Sequence, residues 1–194
     1  AFRQGLPLHV TGKEWQIVVL LSTSMKASHP KITVCTPVHN AEKRIEVLFA
    51  ELQKQTFRDF EWIIVDDGST DGSSARAQQI AAEQTGAGRP VVFSVTLLTQ
   101  KYSGSHAAVN RAVKSARGEF FTVIEADSLP KPEAFEQLIE AWTSIPPQEQ
   151  PYFVSVAALT VLPDGRINGS QFPASPFDSN SIETGTHYGI SGRK

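Results

Sequence analysis

Cysteine and long apolar runs are scarce in this sequence of 194 residues, and these scarcities exclude several classes of protein. The single cysteine, Cys35, rules out a disulfide within the chain and lies in an apolar run, which predicts a buried, inert thiol and suits a reducing compartment. The apolar run at residues 15–21 is far shorter than the ~20 residues of a membrane-spanning helix, and no Ala-x-Ala-like cleavage site follows it. We therefore expect a cytoplasmic location, including the cytoplasmic face of a membrane, with no transmembrane segment in this chain.

An excess of basic residues is also missing, because 18 Lys and Arg stand against 20 Asp and Glu, for a formal net charge of -2. Nucleic acids and anionic membranes attract surplus positive charge, so no nucleic-acid partner is expected and any phosphate must be bound locally. Neither Gly-x-Gly-x-x-Gly after the first predicted strand nor Gly-x4-Gly-Lys-Ser/Thr occurs. The sequence therefore gives no support for a Rossmann dinucleotide-binding protein or a P-loop nucleotide-binding protein.

Apolar, β-rich runs alternate with helix-periodic segments after Pro30, which is typical of a parallel α/β sheet. Strands are predicted at residues 31–36, 61–65, 91–98 and 120–124, and a further strand from residue 152 is predicted to enter a hairpin at residues 163–165. The first strand is expected to stop at Pro37, and Asn40 to cap a helix. The helix is predicted to face the sheet with a stripe at i, i+3, i+4 and i+7, formed by Ile45, Leu48, Phe49 and Leu52. Two further boundaries are predicted: Gly118 ends a helix that starts at about Ser105, and Pro130 and Pro132 open the helix after the strand at 120–124.

Carboxylates follow two of these strands, at the edge of the sheet where open α/β folds bind ligands. Glu125 and Asp127 are two residues apart, so both carboxylates can address one Mg²⁺ or Mn²⁺ while Ala126 faces away. They could equally be solvated acids at a strand end, and spacing alone does not decide between the two interpretations.

Two adjacent acids, Asp66 and Asp67, close an apolar strand, where they need hydrogen bonds or solvent. One of them can accept the N3–H of a uracil ring, with Gly68 and Ser69 turning the chain beside the base. The alternative is that one of them caps the following helix, which the local sequence taken alone favours.

Three cationic or aromatic side chains lie in loops or helices at the same edge. His39 follows the first strand and can stack on a base, although a lone histidine there is more often an exposed loop residue. His106 and Arg111 fall in the helix after Gly104, where they can meet phosphate oxygens or simply be solvated.

Four segments occur in a specific order: Thr-Pro-Val-His-Asn at 36–40, Gln-Thr-Phe-Arg-Asp-Phe-Glu at 55–61, Val-Asp-Asp-Gly-Ser-Thr-Asp-Gly at 65–72 and Arg-Gly-Glu-Phe at 117–120. Together they resemble family 2 glycosyltransferases of the GT-A fold, over about residues 31–145. The resemblance implies a Rossmann-like, mostly parallel central sheet flanked by helices. We expect residues 1–30 to be an N-terminal extension or linker, 31–169 the nucleotide-sugar-binding domain, and 170–194 a loop or the start of an acceptor-side segment.

The resemblance also implies site roles. Pro37 and His39 would line the nucleotide base, Asp67 would bond uracil, and the segment 125–127 would act as the family's Asp-x-Asp motif for Mn²⁺ or Mg²⁺. Further nucleotide-binding positions carried over from the family, near the donor diphosphate, are Gly104, His106 and Asn110, with Arg111 as an added cation. This sequence departs from the family at three positions: Glu125 replaces the first Asp, Ser105 replaces a Lys, and Ser128 stands where an acid is often found.

The activity implied is transfer of a sugar, with inversion, from a nucleotide sugar such as a UDP-sugar to the hydroxyl of a saccharide or other acceptor. No catalytic base is assigned, because the family's base is expected beyond Lys194. One alternative is a nucleotide-binding or inactive module without turnover. A sugar-phosphate nucleotidyltransferase is disfavoured, since such enzymes carry a Gly-rich loop with Arg or Lys where this chain has residues 37–40.

Overall fold

Four parallel strands form the centre of the fold in the computed structural model, which describes residues 9–11, 21–22, 30–85, 92–153, 155–156 and 159–161. The elements are β1 (His9–Thr11), β2 (Leu21–Ser22), β3 (Ile32–Val38), α1 (Glu42–Leu52), β4 (Phe60–Asp67), α2 (Ser73–Thr85), β5 (Ser94–Gln100), α3 (Ser105–Ser115), β6 (Phe120–Val123), β7 (Leu129–Pro130), α4 (Ala134–Thr143) and β8 (Leu159–Val161), with a 3-10 helix at Gln150–Tyr152. The main sheet has the order β2-β6-β3-β4-β5, with β2 antiparallel to β6. The predicted α/β class with a mostly parallel sheet is confirmed.

Helices cover both faces of this sheet, so every residue of β3 and β4 is buried. Side chains such as Ile45, Ile80 and Phe135, from α1, α2 and α4, form the core on one face. Ala108 and Ala112 of α3 pack on the other. A parallel strand covered on both faces reads as a near-continuous apolar run rather than an alternating pattern, which is why these strands were visible in the sequence.

Strand β3 continues to Val38, so the prediction that it stops at Pro37 is wrong. The carbonyl of Cys35 accepts the N–H of Ile124, which places Cys35 and, two residues on, Pro37 with their backbone groups towards β6. β6 pairs with β3 only as far as Cys35 and Val123. Proline therefore costs no ladder hydrogen bond at this point.

The predicted buried stripe of α1 is confirmed, but Asn40 is not its cap. Ala41 holds the N-cap position without a side-chain hydrogen bond. Asn40 instead adopts a φ of 51° and accepts the N–H of Thr70. The start of α1 is stabilised by the first residue of α2, because the Ser73 hydroxyl accepts the Ala41 N–H at 2.8 Å.

Other boundaries also move. β5 begins at Ser94 and ends at Gln100, later than predicted, and α4 begins at Ala134 rather than at the prolines before it. α3 ends at Ser115, before Gly118. Gly118 is needed for a different reason, since a Cβ there would lie 2.4 Å from the backbone nitrogen of Thr33.

A second sheet has the order β7-β1-β8, with β1 antiparallel to β7 and parallel to β8. The 3-10 helix at Gln150–Tyr152 occupies the start of the predicted fifth strand, while the predicted hairpin at residues 163–165 and the segment 170–194 lie outside the described residues. Two short pieces of the predicted 1–30 extension, β1 and β2, are thus paired with strands of the domain. In the part of the chain that the structure describes, no helix is long and apolar enough to cross a membrane.

Candidate functional site

The loops that follow β3, β4, β5 and β6 meet at the carboxyl edge of the main sheet. Parallel strands deliver all of these loops to one edge, and the N-terminus of α3 lies at the end of one of them. The sequence-predicted site residues all fall in these loops, in the strand ends that lead into them or in α3.

Asp67 is buried at the end of β4 and organises the loop that leads into α3. Its Oδ1 accepts the side-chain amide of Gln100 and the backbone N–H of Ser103, each at 2.8 Å, and its Oδ2 accepts the N–H of Gly104 at 2.7 Å. Burial raises the pKa of Asp67, but these hydrogen bonds outweigh it and hold the pKa below its usual range. Because a carboxylate offers about four lone-pair positions, one acceptor position remains on Oδ2.

Asp66 bonds the turn after β4 and does not cap α2, which was the alternative role considered for one member of this pair. Its Oδ1 accepts the N–H of Ser69 at 3.1 Å, which stabilises the turn after β4. Gly68 occupies that turn with a φ of 67°, and a Cβ on it would lie 2.6 Å from the backbone nitrogen of Tyr102. The loops after β4 and β5 therefore touch through a glycine that leaves room for the second chain.

His39 is exposed, and its ring is fixed by hydrogen bonds on both nitrogens. Its Nδ1 lies 2.8 Å from the carbonyl oxygen of Asp67, which can only accept, so Nδ1 carries the proton. The oxygen of the Asn40 amide accepts from Thr70, so the amide nitrogen donates to His39 Nε2 at 3.2 Å. The ring is thus held in place, and its centroid lies 4.6 Å from that of Tyr102, at an interplanar angle of 50°.

A cleft of about 290 Å³ opens beside the first turns of α3 and is lined by Ser105, His106, Val109, Asn110 and Glu125. It brings together two of the predicted phosphate contacts and one predicted metal ligand. Arg111 is exposed outside this lining.

Gly104 is the N-cap of α3, with φ 88° and ψ 155°. Few residues other than glycine adopt this conformation. It allows the backbone to bond Asp67 with the N–H of Gly104 and then turn at once into the helix that lines the cleft.

Glu125 and Asp127 are both exposed and flank the buried Ala126, although they lie in a turn rather than in β6. Asp127 forms an exposed ion pair with Arg44 of α1, at 3.8 Å. Within residues 30–85, 92–153 and 155–156 no three His, Cys, Asp or Glu side chains gather into a metal site. Two accessible carboxylates nevertheless fit Mg²⁺ or Mn²⁺ bound with a nucleoside diphosphate, because such ions take few protein ligands and share the rest with phosphate and water.

Cys35 is fully buried, as predicted. Burial, aided by the negative charge of Glu125, raises the pKa of its thiol to about 12. A thiol so far from ionisation does not act as a nucleophile at neutral pH.

The sequence interpretation missed Tyr102, Gln100 and Arg44. Gln100 is the last residue of β5 and Tyr102 lies in the loop after it, where an aromatic residue beside turn formers was the available signal. Arg44 lies on the exposed side of α1, and nothing in its spacing pointed to Asp127 more than eighty residues away.

The family model for "Glycosyl transferase family 2" matches residues 33–148. The chain therefore belongs to this family of enzymes. Two relatives are glycosyltransferase GlyG of Streptococcus pneumoniae, 30% identical over 110 residues, and the undecaprenyl-phosphate 4-deoxy-4-formamido-L-arabinose transferase of Aeromonas hydrophila, 32% identical over 113 residues. The matches cover 56% and 57% of this chain and 34% and 33% of the relatives, so the chain spans about a third of their length.

Among solved structures, the fold resembles a mannosyltransferase from Pyrobaculum calidifontis in complex with GDP-Man and Mn²⁺. The TM-score is 0.51 at 25% sequence identity, over 66% of this chain and 35% of that one. The fold is the GT-A fold that the resemblance implied.

Proposed function

We propose that this edge of the sheet binds the nucleoside diphosphate of a nucleotide-sugar donor with a divalent cation, and that the protein transfers the sugar to an acceptor hydroxyl. The observation that carries the proposal is the course of the chain from Gly104 to His106. Gly104 bonds Asp67 in the predicted base site, and His106 lines the cleft that contains Glu125. The two-residue step from Gly104 to His106 spans at most about 7 Å. The predicted base site at Asp67 and the predicted diphosphate and metal site in the cleft are therefore adjacent.

For the base, the free acceptor position on Asp67 Oδ2 suits the N3–H of uracil, which favours a UDP-sugar. His39 presents a ring fixed beside it, and Pro37 lies in the last part of β3, two residues before His39. The Pyrobaculum relative holds GDP-Man, and guanine also carries a ring N–H donor. A single carboxylate acceptor therefore supports recognition of a base with a ring N–H donor, such as uracil or guanine. Of the two, we propose uracil, and hence a UDP-sugar donor.

For the diphosphate, the N-terminus of α3 offers backbone N–H groups and the positive end of a helix dipole. His106 and Asn110 line the same cleft and can donate to phosphate oxygens, with Arg111 further along the helix. Ser105 stands where a lysine would neutralise charge, so more of the charge balance falls on the cation. Glu125 and Asp127 would hold Mn²⁺ or Mg²⁺, which stabilises the negative charge of the leaving diphosphate when bound.

The residues of the chain thus orient the donor, while the acceptor hydroxyl displaces the diphosphate with inversion, as the family implies. A saccharide or other hydroxyl-bearing molecule serves as acceptor, and the reaction would take place in the cytoplasm or at the cytoplasmic face of a membrane. We assign no catalytic base to the residues of this chain.

A second candidate, nucleotide binding without turnover, is favoured by one observation. Ser128 stands where an acid often follows the metal motif, and it is buried with only 2% of its surface exposed. Sugar transfer by this chain to any hydroxyl acceptor would exclude this candidate. Binding of the donor without transfer across a panel of acceptors would favour it.

The metal assignment can be tested by calorimetry of UDP binding with and without Mn²⁺. Asp127→Ala is expected to abolish the Mn²⁺-dependent part of UDP binding, because it removes one of two charged ligands. Asp59→Ala is the matched control, since Asp59 is an exposed acid at the opposite edge of the sheet. Normal Mn²⁺-dependent binding by the Asp127→Ala protein would show that the assignment is wrong.

A further inference from the structure

We propose that Tyr102 is a base-stacking residue of the nucleotide site. Tyr102 is 68% exposed, and its ring contacts His39 at the carboxyl edge of the sheet. The inference rests on the proposed function, because it assigns a further contact to the same nucleotide. It concerns a residue that none of the sequence motifs singled out.

The backbone of Tyr102 is held on both sides. Its nitrogen lies so close to Gly68 that a Cβ on the glycine would be 2.6 Å away. The next two residues, Ser103 and Gly104, both donate their N–H groups to Asp67. The loop therefore presents the Tyr102 ring beside the carboxylate proposed to bond the base, with little freedom left to its backbone.

The ring of Tyr102 contacts His39, and the residue as a whole remains largely exposed. His39, fixed by hydrogen bonds to Asp67 and Asn40, lies 4.6 Å from it between centroids. Of the large apolar side chains exposed in the described part of the chain, Tyr102 is the one in ring contact with a candidate site residue. An exposed aromatic ring that packs against a second ring beside a binding site is a common stacking platform for a nucleobase.

Stacking is tolerant of base identity, because every base has a π-face. Tyr102 should therefore add affinity for UDP and GDP alike, while discrimination between them comes from the Asp67 edge. Replacing Tyr102 with alanine is expected to weaken binding of both nucleotides about tenfold. Tyr102→Phe should retain most of the affinity, since the ring and not the hydroxyl makes the contact.

The test is calorimetry with Mn²⁺ and three probes, namely UDP, GDP and inorganic pyrophosphate, which has no base. Tyr102→Ala should lose affinity for the two nucleotides and keep it for pyrophosphate. Tyr102→Leu should show the same selective loss, because leucine also lacks an aromatic ring. It retains apolar bulk and so guards against a disturbance of the loop by alanine. Tyr152→Ala is the matched control, because Tyr152 is 85% exposed and lies outside the site.

Two results would overturn the inference. Nucleotide affinities of Tyr102→Ala and Tyr102→Leu equal to those of the unaltered chain would show that no base stacks on the ring. Equal losses for pyrophosphate and nucleotides would show that Tyr102 acts through the position of α3. If the unaltered chain binds none of the three probes, the proposed function itself fails, and the inference fails with it.

Discussion

Arg117 encloses the carboxylate of the buried Glu61 at the amino-terminal edge of the sheet. Its backbone N–H lies 2.7 Å from Oε1, while its Nε and Nη2 lie 2.8 and 2.6 Å from Oε2. The hydroxyl of Thr33 donates to Oε1 at 2.7 Å and accepts the N–H of Gly118. A carboxylate at the start of the buried β4 is thus fully paired, on the edge opposite the candidate site.

Removing the guanidinium from this network should reduce stability and leave nucleotide binding unchanged. Loss of one partner from a wholly buried pair costs about 3–5 kcal/mol, but Arg117 is half exposed and water can replace part of its contribution. We expect Arg117→Met to lower the free energy of unfolding by about 1–3 kcal/mol. Urea denaturation measures this, with the exposed Arg58→Met as control. A loss of unfolding free energy no larger than that of Arg58→Met would mean that Thr33 and the backbone N–H of residue 117 are enough to stabilise the Glu61 carboxylate.

Two glycines should respond to alanine for opposite reasons. At Gly118 the new Cβ would meet the backbone of Thr33 at 2.4 Å, and such overpacking costs about 1–3 kcal/mol of stability. At Gly104 no atom lies within 4 Å of the new Cβ, but its φ of 88° is strained for alanine.

Alanine at position 104 would relieve that strain by changing its backbone angles, and this change would move the loop that bonds Asp67. We therefore expect Gly118→Ala to lower the thermal midpoint while retaining Mn²⁺–UDP affinity, and Gly104→Ala to weaken that affinity. Thermal unfolding and calorimetry on both variants separate the two effects. Unchanged nucleotide affinity in Gly104→Ala would contradict the placement of this loop in the site.

The sequence predicted those features that depend on neighbours along the chain. The stripe that includes Ile45 and Leu48 is buried as expected, because helical period alone determines which side chains share a face. The errors came from distant partners. Asn40 looked like a cap but bonds Thr70, thirty residues away, and Gly118 looked like a helix terminator but is required by the backbone of Thr33. Contacts of this kind arise only when parallel strands bring separate loops together.

The acid sensitivity of the fold should depend in part on Asp67. Its pKa is held below the ordinary value of about 3.9, so the ionised form is bound more favourably in the folded state. The resulting stabilisation is complete above the unfolded pKa and is lost as the pH falls through the folded one.

Asp67→Asn should therefore be less stable than the unaltered protein at pH 7, and the difference should shrink in acid. Urea denaturation at pH 7 and at about pH 3 measures both values. Asp59→Asn, at an exposed position on the opposite edge, is the control. A stability difference that is equal at the two pH values would argue against an ionised, hydrogen-bonded Asp67 in the folded protein.

Arg44 should compete with the cation for Asp127. The two side chains lie 3.8 Å apart in solvent, where such a pair contributes at most about 1 kcal/mol to stability. Removing the positive charge frees the carboxylate, so Arg44→Met should raise Mn²⁺ affinity in the presence of UDP by up to about fivefold, the equivalent of one such interaction in water. The free energy of unfolding should change by no more than about 0.5 kcal/mol.

Lys43→Met removes the same charge from the neighbouring exposed position on α1 and is the matched control for a general electrostatic effect. Mn²⁺ titration followed by electron paramagnetic resonance, with UDP present at a fixed concentration, measures the affinity directly. A larger gain for Arg44→Met than for Lys43→Met would show that the effect depends on the contact with Asp127. A fall in affinity would instead mean that Arg44 contacts the diphosphate, since only a favourable contact with the bound anion could outweigh release of the carboxylate.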